Sequence, residues 1–258
     1  MEGEELLIEQ KDKIAFLYIN RPKKFNALNI SLLNKINITL RAISKNDKIR
    51  VIILTGIGEK AFAAGADILE FSEFKSKEAM ELSKNGKEKV FDFIEDFSKP
   101  VIAAINGYAL GGGLELALSC DIRIASDNAL MGFPETSLGT IPGYGGTYRL
   151  AEIVGKGIAK EMILTCRKIS AKEALEIGLI SYLTEKNQLL DKATEVANQI
   201  IMNSPNAVNS AIKAINYSGG DSKKKCSEIE SEYFSKCFDH PDFKKGVNAF
   251  LNKQKPNY

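Results

Sequence analysis

The sequence predicts an α/β fold, and three observations carry that expectation. Short β-rich runs recur at 14–19, 51–54, 101–105 and 121–125. Stretches with apolar residues at helical spacing lie between them. From Asn187 onward the pattern turns almost wholly helical. With 258 residues the chain is long enough for one large domain, or for a core with a smaller appendage.

Each element has a local reason. Ile14 to Ile19 is a nearly continuous apolar run, the mark of a buried strand. Asn29 to Ser44 places Leu32, Leu33, Ile36, Leu40 and Ile43 along one helical face. Val51 to Leu54 reads as the next strand. Ile68 to Phe97 is long, charged and periodic and reads as one helix, with Asp67 and Glu70 set as a capping arrangement at its start. Val101 to Ile105 is a strand, and Gly111-Gly112-Gly113 then opens a helix with Glu115 in its first turn. Asp121 to Ala125 is the following strand, and Glu135, behind Pro134, fits an early helical position. Ser204-Pro205 and His240-Pro241 are cap and first-turn pairs that begin new helices. The expected division is an α/β catalytic core over 1–186 and a helical oligomerisation region over 187–258. No fixed-period repeat or low-complexity tract argues for a solenoid.

Composition removes several functions. Lys and Arg total 35 against 33 Asp and Glu, a net +2 that gives no field for nucleic acid or a membrane surface. The run Lys223 to Lys225 reads as a solvated helix face. The first five residues are acidic where a secretion signal is basic, and no apolar stretch has the length of a membrane span, so a cytoplasmic protein is expected. Cys120, Cys166, Cys226 and Cys237 have no CxxC spacing and read as reduced thiols. His240 is the only histidine, so a Ser-His-Asp or Cys-His nucleophile would have to rest on a residue at a helix start. Histidine-rich zinc or iron sites are excluded by the same count, whereas an all-carboxylate magnesium site is not. The glycines around Gly107 and Gly143 fail GxGxxG, and no glycine-rich loop runs into Gly-Lys-Ser/Thr.

What remains is a set of glycines and carboxylates. Gly111, Gly112 and Gly113 let a ligand approach the main chain, and unpaired amides at a helix start suit an oxyanion. Glu115 and Glu135 place two carboxylates near them, a combination that points to enolate chemistry. Upstream, Ala63-Ala64-Gly65-Ala66-Asp67 is a second small-residue stretch that permits close approach. The same glycines also fit tight packing in a strand-to-helix turn, and Glu135 also fits a residue that complements a helix dipole. Spacing does not choose between these readings.

The chain resembles the crotonase (enoyl-CoA hydratase/isomerase) superfamily through Asn20-Arg21-Pro22 with Asn26-Ala27-Leu28, Phe62 to Asp67, Lys99 to Gly107, and Leu138 to Gly143. The resemblance implies a spiral of ββα turns with a helical C-terminal trimerisation region, and a trimer or a hexamer of two trimers. The family's oxyanion-hole amides map onto Ala66 and Gly112, beside Ala64 and Gly65, and its two hydratase glutamates onto Glu115 and Glu135. It implies reversible hydration of a short-chain trans-2-enoyl-CoA, crotonyl-CoA-like, to the 3-hydroxyacyl-CoA, with the coenzyme A thioester as substrate and no metal or redox cofactor. Gly143 maps onto a glycine at the family's water site, and Lys23 and Lys24 onto its adenine and phosphate neighbourhood. Phe250 and Lys253 map onto a tail that reaches a neighbouring subunit's CoA. Phe133 and Tyr148 stand where relatives frequently carry glutamine, which bears on pocket polarity and chain length. The rival readings are a Δ3,Δ2-enoyl-CoA isomerase using Glu135 as base, and a non-catalytic acyl-CoA or RNA-binding relative.

Overall fold

The continuous apolar runs assemble into a central sheet. The structure is a computed structural model that describes residues 4–217 and 222–258, so the start of the acidic N-terminus, Met1 to Gly3, lies outside the described residues. Strands β1 (Leu6–Lys11) and β2 (Ile14–Ile19) form an antiparallel hairpin. β2 then pairs in parallel with β3 (Val51–Gly56), followed across the sheet by β5 (Val101–Ile105), β7 (Ile122–Ser126) and β10 (Tyr182–Thr184). β3 and β5 are buried along their whole length, which is why they lack apolar/polar alternation. β7 begins one residue later than its sequence pattern indicates.

Helices cover both faces. α1 (Ile30–Ser44) buries Leu32, Leu33, Ile36, Leu40 and Ile43, the stripe read from the sequence, each removing about 2 kcal/mol worth of apolar surface from water. The Asn29 side chain caps it by accepting from the Leu32 amide at 2.8 Å. On the other face, α7 (Leu189–Ile201) packs Leu189, Ala193, Val196 and Ala197 against Ile14, Phe16, Val51, Ile53 and Ile102.

A second, smaller sheet positions the functional residues. β4 (Ala61–Ala64), β6 (Tyr108–Leu110) and β8 (Leu130–Gly132) run parallel, and β9 (Lys168–Ser170) closes the edge antiparallel. Their register sets Ala64 level with Leu110, and Leu110 level with Gly132. The segments that leave these three levelled ends carry Ala66, Gly112 and Glu135. Sites at the carboxyl ends of parallel strands are the rule in open α/β sheets.

The expected single helix from Ile68 to Phe97 is not one element. A short 3-10 turn at Ile68–Glu70 gives way to irregular chain, then α2 (Ser76–Gly86), a wide π-type turn at Lys87–Phe91, and α3 (Asp92–Glu95). The two acids read as its cap are engaged elsewhere. Asp67 makes no capping bond and instead accepts from Arg21 at 2.9 Å and Lys24 at 3.0 Å. Glu70 accepts from the Ile30 amide at 2.8 Å, serving the start of α1. Helix formation therefore waits for Lys75, whose amide donates to Glu78 at 2.6 Å.

The remaining helices are α4 (Gly112–Leu118), α5 (Gly146–Thr165), α6 (Ala171–Glu176), α8 (Pro205–Asn216), α9 (Lys223–Asp239) and α10 (Pro241–Leu251). Both cap pairs read from the sequence are present: Ser204 accepts from the Ala207 amide, and the His240 imidazole from the Asp242 amide. No helix of the described residues is long and apolar enough to cross a membrane.

Candidate active site

The glycine run does three separate jobs. A Cβ on Gly113 would overlap the Ala63 carbonyl, so α4 packs against β4 only through a bare backbone. Gly111, at φ +50°, leaves room for the Glu135 carboxylate, which a Cβ there would strike. Gly112 is looser: a Cβ would make ordinary contacts, the nearest with the Ala66 amide nitrogen at 3.5 Å. The structure thus brings the Ala66 and Gly112 backbones together. Among the described residues neither amide N–H is paired with an acceptor of the chain.

Glu115 projects from the first turn of α4 and is 1% exposed. Its Oε1 accepts from the Tyr144 amide at 2.7 Å and the Gly146 amide at 2.8 Å. Burial pushes its carboxyl up from the ordinary range, while those amides, the Gly143 amide and the Arg149 charge pull it back. The Gly146 backbone lies close to the Glu115 stem and to the Phe133 ring: a Cβ on Gly146 would fall within 2.9 Å of both side chains.

Glu135 starts a 3-10 turn, Glu135–Leu138, behind Pro134. Its Oε2 is buried without a hydrogen-bond partner among the described residues. Burial raises its carboxyl to about 7, helped by the charge of Glu115 across the site. The two acids therefore sense each other, but their surroundings differ. Glu115 has amide donors that favour its ionised form, and Glu135 has an orphan oxygen that favours a proton.

Residues 9–258 match the family described as Enoyl-CoA hydratase/isomerase. The chain belongs to that family. It is 45% identical to the short-chain-enoyl-CoA hydratase of Clostridium acetobutylicum over 255 residues, covering 99% of this chain and 97% of that one. It is 42% identical to the crotonyl-CoA hydratase of Syntrophomonas wolfei subsp. wolfei, covering 100% and 99%. A crystal structure of enoyl-CoA hydratase from Bacillus anthracis superposes with a TM-score of 0.92 at 38% identity, covering 99% of each chain. The spiral α/β architecture of this enoyl-CoA hydratase/isomerase family member follows that of its solved relatives.

The other residues singled out from the sequence lie as follows. Ala64 ends β4 and Gly65, at φ +99°, turns the chain toward Ala66. Gly143 lies in the loop that feeds Glu115, its carbonyl accepting from Ser83 at 2.5 Å. Lys23 is exposed in the turn Pro22–Lys24, whereas Lys24 is tied to Asp67. Phe250 is 82% exposed on α10, and Lys253 lies just beyond it. Sequence reasoning missed Arg149, 2% exposed at the start of α5, with Asp92 at 2.7 Å and Glu95 at 2.6 Å. It missed the Tyr144 ring too, stacked on Phe91 at 4.6 Å. An arginine near the start of a helix gives no sign that it points inward. The only available signal was a pair of acids at i and i+3, Asp92 and Glu95, in an otherwise apolar turn.

Proposed function

We propose that the protein hydrates short-chain trans-2-enoyl-CoA thioesters, crotonyl-CoA-like in size, to 3-hydroxyacyl-CoA, and runs the reverse dehydration. The carrying observation is the meeting of two unpaired amides with two carboxyl groups of unequal surroundings. The Ala66 and Gly112 amides form the oxyanion hole: they bind the thioester carbonyl and hold the enolate oxygen more tightly than the ground-state oxygen. One such donor is worth about 3 kcal/mol of barrier. Ionised Glu115 takes a proton from the water that attacks Cβ, and protonated Glu135 gives its proton to Cα. The pair begins and ends with one proton between its members, which proton exchange returns to Glu135. The thioester itself supplies the acidity of Cα, so the scheme calls for no metal or redox cofactor.

Ala64, Gly65 and Gly143 border the reacting groups in this reading. Lys23, exposed and unclaimed by Asp67, is the better placed of the two lysines to meet a CoA phosphate. The exposed apolar side chains of α9 and α10, among them Phe234, Phe238, Phe250 and Leu251, support assembly as a trimer or a hexamer of two trimers. In that assembly Phe250 and Lys253 reach a neighbour's CoA. Four free cysteines support a cytoplasmic location. Nothing in the site's chemistry calls for nucleic acid or a membrane.

The test is hydration of crotonyl-CoA, read as loss of the conjugated thioester absorbance, by the wild type, Glu115→Gln and Glu135→Gln. Each substitution should cost about 10²–10⁴-fold in rate while CoA binding is retained. Near-normal turnover by both variants defeats the reading, and so does appearance of conjugated absorbance from a 3-enoyl-CoA without hydration.

A further inference from the structure

Arg149 leads the fully buried side chains in volume, and the reaction above gives it no task. Burying a guanidinium is costly unless every face of it is answered. Here the answers all lie around the loop that serves Glu115. Nη2 donates to Asp92 at 2.7 Å and to Glu95 at 2.6 Å, and Nε donates to Glu95 at 3.2 Å. Nη1 donates to the Tyr144 carbonyl at 2.9 Å. On its other side Tyr144 turns its amide to Glu115 at 2.7 Å, and Gly146 adds a second amide at 2.8 Å. The residue between them, Gly145, sits at φ +105°, where a Cβ would collide with Nη1. The wide turn at Lys87–Phe91 completes the clamp. It sets Phe91 flat against the Tyr144 ring, at 4.6 Å and 11°, and passes directly into Asp92 and Glu95. Such widened turns recur at functional sites.

We propose that Arg149 is a positioning residue for Glu115: anchored by Asp92 and Glu95, it holds the Tyr144 to Gly146 loop so that two amides fix the carboxylate for its work on water. This rests on the reading of Glu115 as the base. The charge of Arg149 also favours the ionised form of Glu115. Glu115 otherwise faces the Glu135 carboxyl and the Tyr144 phenol. Arg149 in turn faces Asp92, Glu95, Asp96, Tyr148 and the Cys120 thiol. Removing the guanidinium therefore takes away a positive charge that favours ionised Glu115 and leaves the acids.

The test compares pH profiles of crotonyl-CoA hydration for the wild type, Glu115→Gln, Arg149→Met, Arg149→Lys and the pair Asp92→Asn with Glu95→Gln. Arg149→Met should lower kcat about 10²-fold with KM little changed, as a misplaced group does. Its acid limb should move to higher pH, because Glu115 then holds its proton more tightly. Arg149→Lys keeps the charge but loses the fork, so its acid limb should stay near the wild type's while kcat remains low. The Asp92/Glu95 pair of substitutions should speed hydrogen exchange at the Tyr144 and Gly146 amides, a readout independent of turnover. The proposal is overturned by an unmoved acid limb in Arg149→Met, or by unchanged exchange in the Asp92/Glu95 variant. A wild type without hydratase activity instead removes the hydratase reading, a fully active Glu115→Gln removes the reading of Glu115 as the base on which the proposal stands, and the exchange result separates these failures from failure of the proposal.

Discussion

Glu135 should make the folded protein less stable at the pH where it works. Its carboxyl is raised from 4.5 to about 7 by burial and by Glu115. At about 1.4 kcal/mol per tenfold change in proton affinity, that rise amounts to about 3 kcal/mol, and partial exposure trims it to about 2. The sign follows from proton counting. Between 4.5 and about 7 the folded state binds the proton and the unfolded state has released it, so stability falls as pH rises through that window. The loss is complete above about 7 and absent well below 4.5. Glu135→Gln cannot ionise, so it should escape the loss. In paired denaturation curves the variant should match the wild type at about pH 4 and exceed it by about 2 kcal/mol at about pH 8. For a chain of this length that is a rise of about 4–8 °C in Tm at the higher pH. The same substitution should remove hydration, and wild-type hydration should decline as pH rises through about 7, where the acid form of Glu135 is lost. Identical pH dependence of stability in the two proteins would refute the argument, since Glu135 would then hold its proton no more tightly than a solvated glutamate.

Neighbouring glycines should fail in different ways. Gly112→Ala meets only ordinary contacts, so it should fold with nearly unchanged Tm yet lose hydration, because its methyl stands 3.5 Å from the Ala66 amide nitrogen. Gly113→Ala drives a methyl into the Ala63 carbonyl and should appear as loss of folded protein, seen in denaturation before any kinetic measurement. Asn26 is fully buried at φ +57°, its amide donating to Ile57 at 3.0 Å and Ala61 at 2.7 Å while its oxygen accepts from Arg21 at 2.9 Å. Asn26→Ala should cost about 2–4 kcal/mol in urea unfolding, through three lost hydrogen bonds and a residue poorly suited to the left-handed region.

Strands β2, β3, β5 and β7 of the large sheet and helix α1 were legible because each carries enough residues to show a pattern, whereas the edge strands β1 and β10 went unread. Five apolar positions of α1 agree with the buried face, and the unbroken runs of β2, β3 and β5 agree with strands covered on both sides. The small sheet was not legible. β6 and β8 have three residues each, too few for any alternation to register, and β6 runs straight into Gly111-Gly112-Gly113. The break after Glu70 was hidden for another reason. Asp67 and Glu70 look like a local cap, but their partners are Arg21, Lys24 and the start of α1, between 40 and 46 residues away in sequence. Among the site residues, Glu115 and Glu135 could be named from the motif, but nothing local indicated that one would have amide partners and the other an orphan oxygen.

That difference comes from how the two acids enter the same space. Levelled strand ends in the small sheet bring three departing segments together: one supplies the Ala66 amide, one Gly112 with Glu115, and one Glu135. If strand ends alone set the chemistry, two carboxylates arriving side by side would be equivalent and would merely repel. They are not equivalent, because Glu115 comes from inside α4 and meets a loop whose amides already converge on it, while Glu135 comes from a turn with no donors for its Oε2. The loop carries Gly145 at φ +105° and Tyr144 on Phe91, both of which hold the amides in place before substrate arrives. In the proposed hydration the proton of the pair is therefore assigned by backbone geometry, and a change that loosened the loop should blur acid and base without touching either glutamate.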